Sequence, residues 1–184
     1  SNICTAQALL ATMAGFYAVY HGPEGIRTIA ERIHSIAVFL EKSINRLGYK
    51  QVNAQYFDTL RFALPDTISA QQIRTIALSK EVNLRYFKNG DVGMSIDETT
   101  DIAAVNVLLS IFAIAAGRDW EKASDVPMAS SISAEMKRQS TYLTHEVFNK
   151  YHTETEMMRY IKRLDRKDIS LAHSMISLGS CTMK

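Results

Sequence analysis

The chain has 184 residues, of which 47% are hydrophobic and 22% are charged, and this is the composition of an ordinary globular protein. Its length suffices for one domain with a substantial core, or for one domain with an appendage. The net charge of +2 is too small to indicate nucleic-acid binding, and the basic residues do not form a block. The longest apolar stretch, residues 105–116, is too short for a membrane span, which needs roughly 20 residues. We therefore predict a globular protein with no nucleic-acid partner and no membrane association.

The two cysteines, Cys4 and Cys181, lie near opposite ends of the sequence. Two such residues form neither a disulfide framework nor a zinc site, which favours free thiols in a reducing compartment. The opening residues contain no initiator methionine and no leader, and Lys184 directly follows Ser180–Met183. We therefore expect both ends to be cuts within a longer polypeptide.

Two consecutive helices are predicted at the start of the chain. An apolar stripe at helical spacing ends at His21-Gly22, and Gly22-Pro23 starts the second helix, because proline at the first helical position gives up an N–H without a helical partner. The second stripe runs from Ile26 to Leu47, and Gly48 favours a helix end. The first stripe comprises Ala6, Leu9, Leu10, Met13, Phe16 and Tyr17.

The hydrophobic pattern then changes period. Residues 57–64 alternate between apolar and other side chains, as in a half-buried strand. Ser69 and Gln72 have capping-box spacing and predict a helix to about Ser79.

A hairpin and a last helix complete this region. The strand-like runs 82–87 and 92–96 flank an Asn-Gly dipeptide at 89–90, which is a strong hairpin signal. Residues 97–100 offer several caps for a helix that carries Ile102 to Phe112 and is closed by Gly117.

This order of elements predicts an α+β unit over residues 1–117, in which a small antiparallel sheet carries helices on one face. Residues 118–139 are polar, contain Pro127 and a serine-rich patch, and predict a linker with one short helix. Residues 140–184 are then expected to form a mostly helical and extended arm.

Within this arm, Thr144 is expected to cap a turn that carries Val147, Phe148 and Tyr151. Thr153 and Glu156 have capping-box spacing and predict a helix to about Lys167. Residues 169–184 show no periodicity, so we expect their apolar side chains to pack onto something outside this chain.

Candidate metal ligands in the arm are weak. Its three histidines lie near glutamates, but their spacing matches no metal-binding signature, so we predict no metal site and favour capping or solvated roles. The histidines are His145, His152 and His173, and the glutamates are Glu146, Glu154 and Glu156. A cationic group late in the arm helix is interpreted as a solvated face that suits the helix dipole. This group comprises Lys162, Arg163, Arg166 and Lys167.

The segment Gly179-Ser180-Cys181-Thr182 is a better candidate for binding. Small hydroxyl and thiol groups beside a glycine allow close backbone approach to a ligand and offer several hydrogen-bond donors. A plain loop turn explains the same residues equally well. A nucleophilic Cys181 would need a nearby base, for which His173 is only a loose candidate.

Five segments resemble one enzyme family. They are Ser1–Leu10, Tyr20–Gly25, Gly93–Thr100, Leu143–Tyr160 and Ser174–Lys184. The sequence resembles the pyridoxal-phosphate-dependent glycine dehydrogenase (decarboxylating) family, the P-protein of the glycine cleavage system. The resemblance extends over essentially the whole chain, and the motifs at its two ends are the most specific.

The resemblance implies a layout. Family members look like two fused homologous halves of fold type I, the aspartate-aminotransferase-like fold of pyridoxal-phosphate enzymes. Residues 1–117 then correspond to the end of the first half, chiefly its small C-terminal domain. Residues 118–139 correspond to the linker, and residues 140–184 to the N-terminal arm of the second half.

The resemblance also implies a reaction. The parent enzyme decarboxylates glycine on pyridoxal phosphate and passes the aminomethyl group to the lipoyl arm of H-protein. Its Schiff-base lysine belongs to a motif that is absent here, and Lys184 is in a different motif. We therefore expect this chain alone to bind no cofactor, to hold no catalytic residue and to be inactive.

The remaining expectations follow from the same resemblance. Gly179, Ser180, Cys181 and Thr182 match a family motif that approaches the substrate pocket, where they would shape it and hydrogen-bond. The expected partners are the remainder of the polypeptide, its dimer mate, lipoylated H-protein and glycine. The expected compartment is the bacterial cytoplasm or the mitochondrial matrix.

Two alternatives remain open. One is a non-catalytic α+β module for assembly or ligand sensing, against which the apolar arm of residues 140–184 argues. The other is a different aminotransferase-like enzyme, against which the Ser-Cys-Thr-Met-Lys motif at 180–184 argues.

Overall fold

The computed structural model describes residues 5–170 and 172–175. The chain divides into two compact units: one is Arg27–Gln139, and the other comprises Ser1–Ile26 together with Ser140–Lys184. We call them the central unit and the paired-end unit. The first helix, α1 (Thr5–Arg46), contributes residues to both.

A break in α1 confirms the two predicted helices. Gly22 has φ 63° and ψ −178°, which is not helical, and Pro23 follows it. Helical geometry resumes at Pro23 and continues to Arg46, and Gly48 (φ 100°) lies just beyond the end. Both glycines adopt positive φ angles, which residues with a Cβ rarely adopt. A glycine at each of these positions therefore predicts the helix end from the sequence alone.

The central unit contains a four-stranded antiparallel sheet. The strands are β1 (Lys50–Gln51), β2 (Thr59–Ala63), β3 (Arg85–Tyr86) and β4 (Val92–Ser95). Their spatial order is β1-β2-β4-β3, and every neighbouring pair is antiparallel. The predicted α+β class with a small antiparallel sheet is therefore confirmed.

The hairpin between β3 and β4 is also as predicted, with Gly90 at φ 91° in its turn. The strand predicted over residues 82–87 is wrong in length, because β3 covers only two of them. Val82 instead donates its backbone N–H to the Ala77 carbonyl at the end of the preceding helix. That bond holds the start of the segment against the helix and shortens the strand.

Two further helices complete the central unit. Helix α2 (Ala70–Ser79) begins at Ser69, whose side chain accepts the Gln72 backbone N–H as predicted. Helix α3 (Ile102–Ala116) ends at Gly117 in the left-handed conformation, as predicted. Its predicted cap within residues 97–100 is wrong, because the carboxylate of Asp101 accepts the Ala104 N–H. Asp97 instead binds Thr99 and Thr100 in the preceding turn. These caps satisfy backbone groups that helix ends leave without partners.

One hydrophobic core lies between the sheet and the helices. Strand β2 buries Leu60 and Phe62 completely while Thr59 is exposed, which is the alternation expected of a half-buried strand. These two residues pack in one core with buried side chains from three helices and from β4. The helical members are Ile36, Leu40 and Ile44 of α1, Ile73 and Ala77 of α2, and Val105, Ile111 and Phe112 of α3, and the members from β4 are Val92 and Met94.

The paired-end unit contains α4 (Glu154–Asp165), which ends two residues earlier than predicted. The side chain of Thr153 accepts the Glu156 N–H, as its spacing predicts. A short 3-10 turn, Glu146–Asn149, precedes α4. The predicted cap of that turn is wrong, because the His145 ring, not Thr144, accepts the Val147 N–H. A ring nitrogen with a lone pair can accept this N–H.

Tyr49 gives the central unit a pH-dependent stability. Its hydroxyl donates a 2.8 Å hydrogen bond to the Phe112 carbonyl, and burial raises the pKa of Tyr49 from 10.0 to about 12 against the opposing Arg118 cation. Because the pKa of the folded state lies above that of the unfolded state, this contribution is complete below pH 10. It is lost as the pH rises towards 12.

We expect Tyr49→Phe to cost about 1 kcal/mol near neutral pH, because the buried hydrogen bond from the Tyr49 hydroxyl to the Phe112 carbonyl is lost. The variant should also lose roughly 2 kcal/mol less than the wild type between pH 10 and pH 12. Urea unfolding of both proteins across that range measures the difference. An identical alkaline loss in the two proteins would contradict the role of Tyr49.

Candidate functional site

The four residues predicted to approach a substrate pocket, Gly179, Ser180, Cys181 and Thr182, lie outside the described residues. So do Cys4 and Lys184. The predicted pocket role of the four therefore stays a prediction. Within the described residues, the segment of the family resemblance with the most unusual geometry is Tyr20–Gly25, at the break in α1.

Side chains from the other end of the chain donate hydrogen bonds to backbone carbonyls at the break in α1. Pro23 has no N–H to donate to the carbonyl four residues before it, and Gly22 is not helical, so regular helical hydrogen bonding is interrupted here. The His152 ring donates from Nδ1 to the Tyr20 carbonyl at 2.7 Å. The Tyr142 hydroxyl donates to the Pro23 carbonyl at 2.6 Å. His152 thus acts as a cap, one of the two roles that the sequence favoured for it.

Gly22 is enclosed by these same elements. A Cβ atom at this position would lie 2.7 Å from the Phe148 carbonyl oxygen and 2.7 Å from Cε1 of His152. Distances this short are not compatible with a side chain. Only glycine therefore allows the break in α1 and the segment before α4 to approach this closely.

An open groove of about 350 Å³ lies beside the break. Its lining comprises Tyr20, His21, Gly22, Pro23, Glu24, Asn149 and His152. The His21 ring packs against the Tyr17 ring, with centroids 4.3 Å apart. The groove offers imidazole and amide groups that can hydrogen-bond. Across the described ranges, no three His, Cys, Asp or Glu side chains come together to hold a metal ion.

A second groove of about 220 Å³ runs along α4. The Tyr151 and Tyr160 rings stack with centroids 4.4 Å apart, and the Arg163 guanidinium lies 5.4 and 5.3 Å from their centres. Tyr160 also meets Phe16 of α1 edge-on at 6.2 Å. All four cations of the predicted solvated group are exposed, as the interpretation requires. Arg163 in addition lies beside two aromatic rings, a contact that sequence spacing does not reveal.

The other polar residues singled out in the arm have local roles. The His173 ring and the Ser170 hydroxyl are hydrogen-bonded at 2.9 Å. A hydrogen bond from Lys150 lowers the pKa of the Glu146 carboxyl. A hydrogen bond from Lys162 lowers the pKa of Asp165 in the same way. These contacts support the structural roles that the sequence favoured.

Sequence reasoning missed a buried polar pair in the central unit. His34 and Ser35 are each only 2% exposed, although they lie within the apolar stripe of α1. Both side chains bind the backbone of the polar segment at 118–139. Two polar residues inside an apolar stripe are the only signal in the sequence, and it does not name their partners.

The described residues do not fit pyridoxal phosphate. The cofactor is held as an imine on a lysine inside a pocket, and none of the lysines in the described ranges is buried.

No helix in the same ranges is both long and apolar enough to cross a membrane.

Comparison with known proteins gives consistent matches. A family model described as glycine cleavage system P-protein matches residues 1–112. A Bacteroides fragilis protein named glycine dehydrogenase (decarboxylating) is 83% identical over 184 residues, covering 100% of this chain and 19% of that protein. Proteins of the same name from Bacteroides thetaiotaomicron and Flavobacterium johnsoniae are 79% and 49% identical with the same coverage. The chain therefore spans about a fifth of the length of the curated relatives it matches.

Proposed function

Because the chain belongs to the glycine cleavage system P-protein family, we propose that the full-length protein decarboxylates glycine with pyridoxal phosphate as cofactor. It then passes the aminomethyl group to the lipoyl arm of H-protein. The observation that carries this proposal is the 83% identity along the whole chain to a protein named glycine dehydrogenase (decarboxylating). The cofactor supplies an electron sink for the carbanion left by decarboxylation. The relatives reported above are bacterial, which favours the bacterial cytoplasm over the mitochondrial matrix.

The proposed contribution of this chain is structural. Its described lysines are not buried, which supports a cofactor lysine elsewhere in the full-length protein. We place residues 1–117 at the end of the first half of a fold-type-I enzyme. Residues 118–139 then form the linker, and residues 140–184 form the arm that begins the second half. The α+β architecture of the central unit is compatible with a small C-terminal domain.

The paired-end unit supports a requirement for the rest of the polypeptide. Among residues 7–26, 140–170 and 172–175, only Val19 and Gly22 are buried. By contrast, large apolar side chains are exposed, such as Leu10 at 64% and Met158 at 71%. So little burial does not offset the entropy lost in ordering these residues, which costs about 1–2 kcal/mol each for the backbone alone. We propose that the remainder of the full-length protein covers this apolar surface.

A direct test uses the full-length protein, glycine labelled in its carboxyl group and lipoylated H-protein. We expect labelled carbon dioxide to be released only when pyridoxal phosphate and lipoylated H-protein are both present. Undiminished release without the cofactor, or no release under any of these conditions, would reject the proposed reaction.

The proposed role of Ser180 and Thr182 is to hydrogen-bond in the substrate pocket. In the full-length protein we expect Ser180→Ala and Thr182→Val each to lower kcat/KM for glycine by roughly tenfold to a hundredfold, because a lost polar contact costs about 1–3 kcal/mol. Steady-state kinetics with lipoylated H-protein measure this change.

The matched control is Ser133→Ala. Ser133 is exposed and makes no side-chain capping bond at the start of the 3-10 turn Ala134–Met136. We expect this variant to retain wild-type kinetics. If Ser180→Ala and Thr182→Val behave like the control, the segment 179–182 is a loop turn and the pocket role is wrong.

A further inference from the structure

The polar segment that follows α3 is tied to two helices of the central unit. The side chain of Asn106 in α3 forms two hydrogen bonds with the Ala123 backbone. Its Nδ2 donates to the Ala123 carbonyl at 2.9 Å, and its Oδ1 accepts the Ala123 N–H at 2.8 Å. Further along, Ser35 of α1 accepts the Ala129 N–H at 3.0 Å. Its neighbour His34 accepts the Ser131 N–H at Nε2, also at 3.0 Å. We call residues 123–131 the strap.

The two residues of α1 that bind the strap, His34 and Ser35, are buried. His34 and Ser35 are each 2% exposed, and Ser35 also donates to the Glu31 carbonyl at 2.7 Å. Removing the strap would leave the Nε2 lone pair of His34 buried or newly hydrated, and buried polar groups without partners are costly. The strap therefore supplies the N–H donors that the buried His34 and Ser35 side chains need, and these side chains in turn fix the strap to α1.

The bonding pattern of His34 fixes which ring nitrogen carries the proton. Nδ1 lies 2.7 Å from the Phe57 carbonyl, which can only accept, so Nδ1 must donate. Nε2 receives a backbone N–H from Ser131, so it must present a lone pair. The ring also stacks on the Phe57 side chain, with centroids 5.5 Å apart and planes 9° apart. Only the neutral imidazole with its proton on Nδ1 satisfies both bonds.

We infer that the strap is a fixed connector, locked at one end by Asn106 and at the other by the Nδ1-protonated tautomer of His34 together with Ser35. The strap keeps residues 123–131 bound to α3 and α1. The contacts within the central unit therefore fix the point at which the residues after Ser131 begin. These contacts do not depend on the reaction that the full-length protein performs.

The lock is tested by hydrogen exchange at single-residue resolution in the full-length protein. We expect the amides of Ala123, Ala129 and Ser131 to exchange at least about a hundredfold more slowly than unstructured peptide rates, as hydrogen-bonded amides do. His34→Phe keeps an aromatic ring beside Phe57 but removes the acceptor. In this variant, Ser131 should lose at least about tenfold of its protection, while Ala123 keeps its protection.

Two controls separate the possible causes. Ser131→Ala keeps the backbone donor and should retain protection at residue 131, whereas Asn106→Ala should expose the Ala123 amide alone. Exchange of the Ser131 amide at unstructured rates in the wild type would overturn the inference, and so would full protection in His34→Phe. If His34→Phe does not fold, the nitrogen resonances of His34 in the wild type decide. A proton on Nε2 contradicts the lock, and a proton on Nδ1 alone supports it.

Discussion

Replacing Gly22 with alanine should destabilise the paired-end unit by roughly 3–5 kcal/mol, because backbone strain and steric overlap act together. The backbone angles of φ 63° and ψ −178° lie in a region that is essentially restricted to glycine. The new methyl group would also be placed 2.7 Å from the backbone carbonyl of Phe148, which cannot move as a flexible side chain can. Relief of the overlap would separate the break in α1 from the segment before α4.

The effect of Gly22→Ala is best measured by hydrogen exchange over residues 142–165 in the full-length protein, where the break and the arm are in their normal context. Gly15→Ala is a matched control on the same helix, because a Cβ at Gly15 meets nothing within 4 Å. That control should be neutral or stabilising by up to about 1 kcal/mol. Equal exchange in the two variants would show that close packing at Gly22 is not required.

Replacing Phe112 with alanine should destabilise the central unit by about 3–5 kcal/mol, the usual cost of removing a fully buried aromatic ring. Phe112 is 0% exposed, and its ring lies edge-on to Tyr49 at 5.0 Å and 5.7 Å from the Phe62 ring. These contacts join α3, the segment after α1 and strand β2. Alanine would leave a cavity at the point where all three meet.

Urea unfolding of the chain measures the effect of Phe112→Ala as a shift of the midpoint at unchanged slope. Ile114→Ala is the control, because Ile114 lies on the same helix but is 52% exposed and should lose less than about 1 kcal/mol. If Phe112→Ala shifts the midpoint no more than the control, the core is not organised around this ring.

The parts of the fold that follow from local chemistry were predictable. Ser69 begins α2 because its side chain accepts an N–H group that a helix start leaves without a partner. Gly117 ends α3 because it adopts the left-handed conformation at little cost. The Gly22-Pro23 pair breaks α1 for the same kind of local reason. In each case the signal lies within a few residues of the structure it determines.

Contacts between distant residues could not be predicted from the sequence. The bond from His152 to the Tyr20 carbonyl joins positions 132 residues apart. The bond from Ser131 to His34 spans 97 residues. Strand β1 has two residues, too few to show alternation, and it exists because β2 offers it a partner. Such features depend on tertiary pairing, which leaves no periodic pattern.

The proposed substrate site was reached by a different route. Glycine, serine, cysteine and threonine at 179–182 are equally compatible with a binding loop and a plain turn. Their assignment to a pocket comes from the family resemblance, and the family itself is supported by the match over residues 1–112. The sequence therefore identifies the enzyme family more firmly than it identifies any residue that contacts substrate.

A module for assembly or ligand sensing is the main alternative to an enzyme segment, and it would fold without the rest of the polypeptide. The paired-end unit distinguishes the two, because its exposed apolar residues include Leu9, Met13 and Ile161. Hydrogen exchange of the isolated chain should show protection in the central unit and little in the paired-end unit. Equal protection in both would favour the self-sufficient module.

The most direct test of whether this chain supplies structure rather than the cofactor site is a spectral titration. The purified 184-residue chain is titrated with pyridoxal phosphate, with and without glycine, and the full-length protein serves as the positive control. We predict no glycine-sensitive imine absorbance and no decarboxylation for the chain alone. A stoichiometric, glycine-sensitive imine band would show that a lysine within these residues holds the cofactor, and would contradict a structural role.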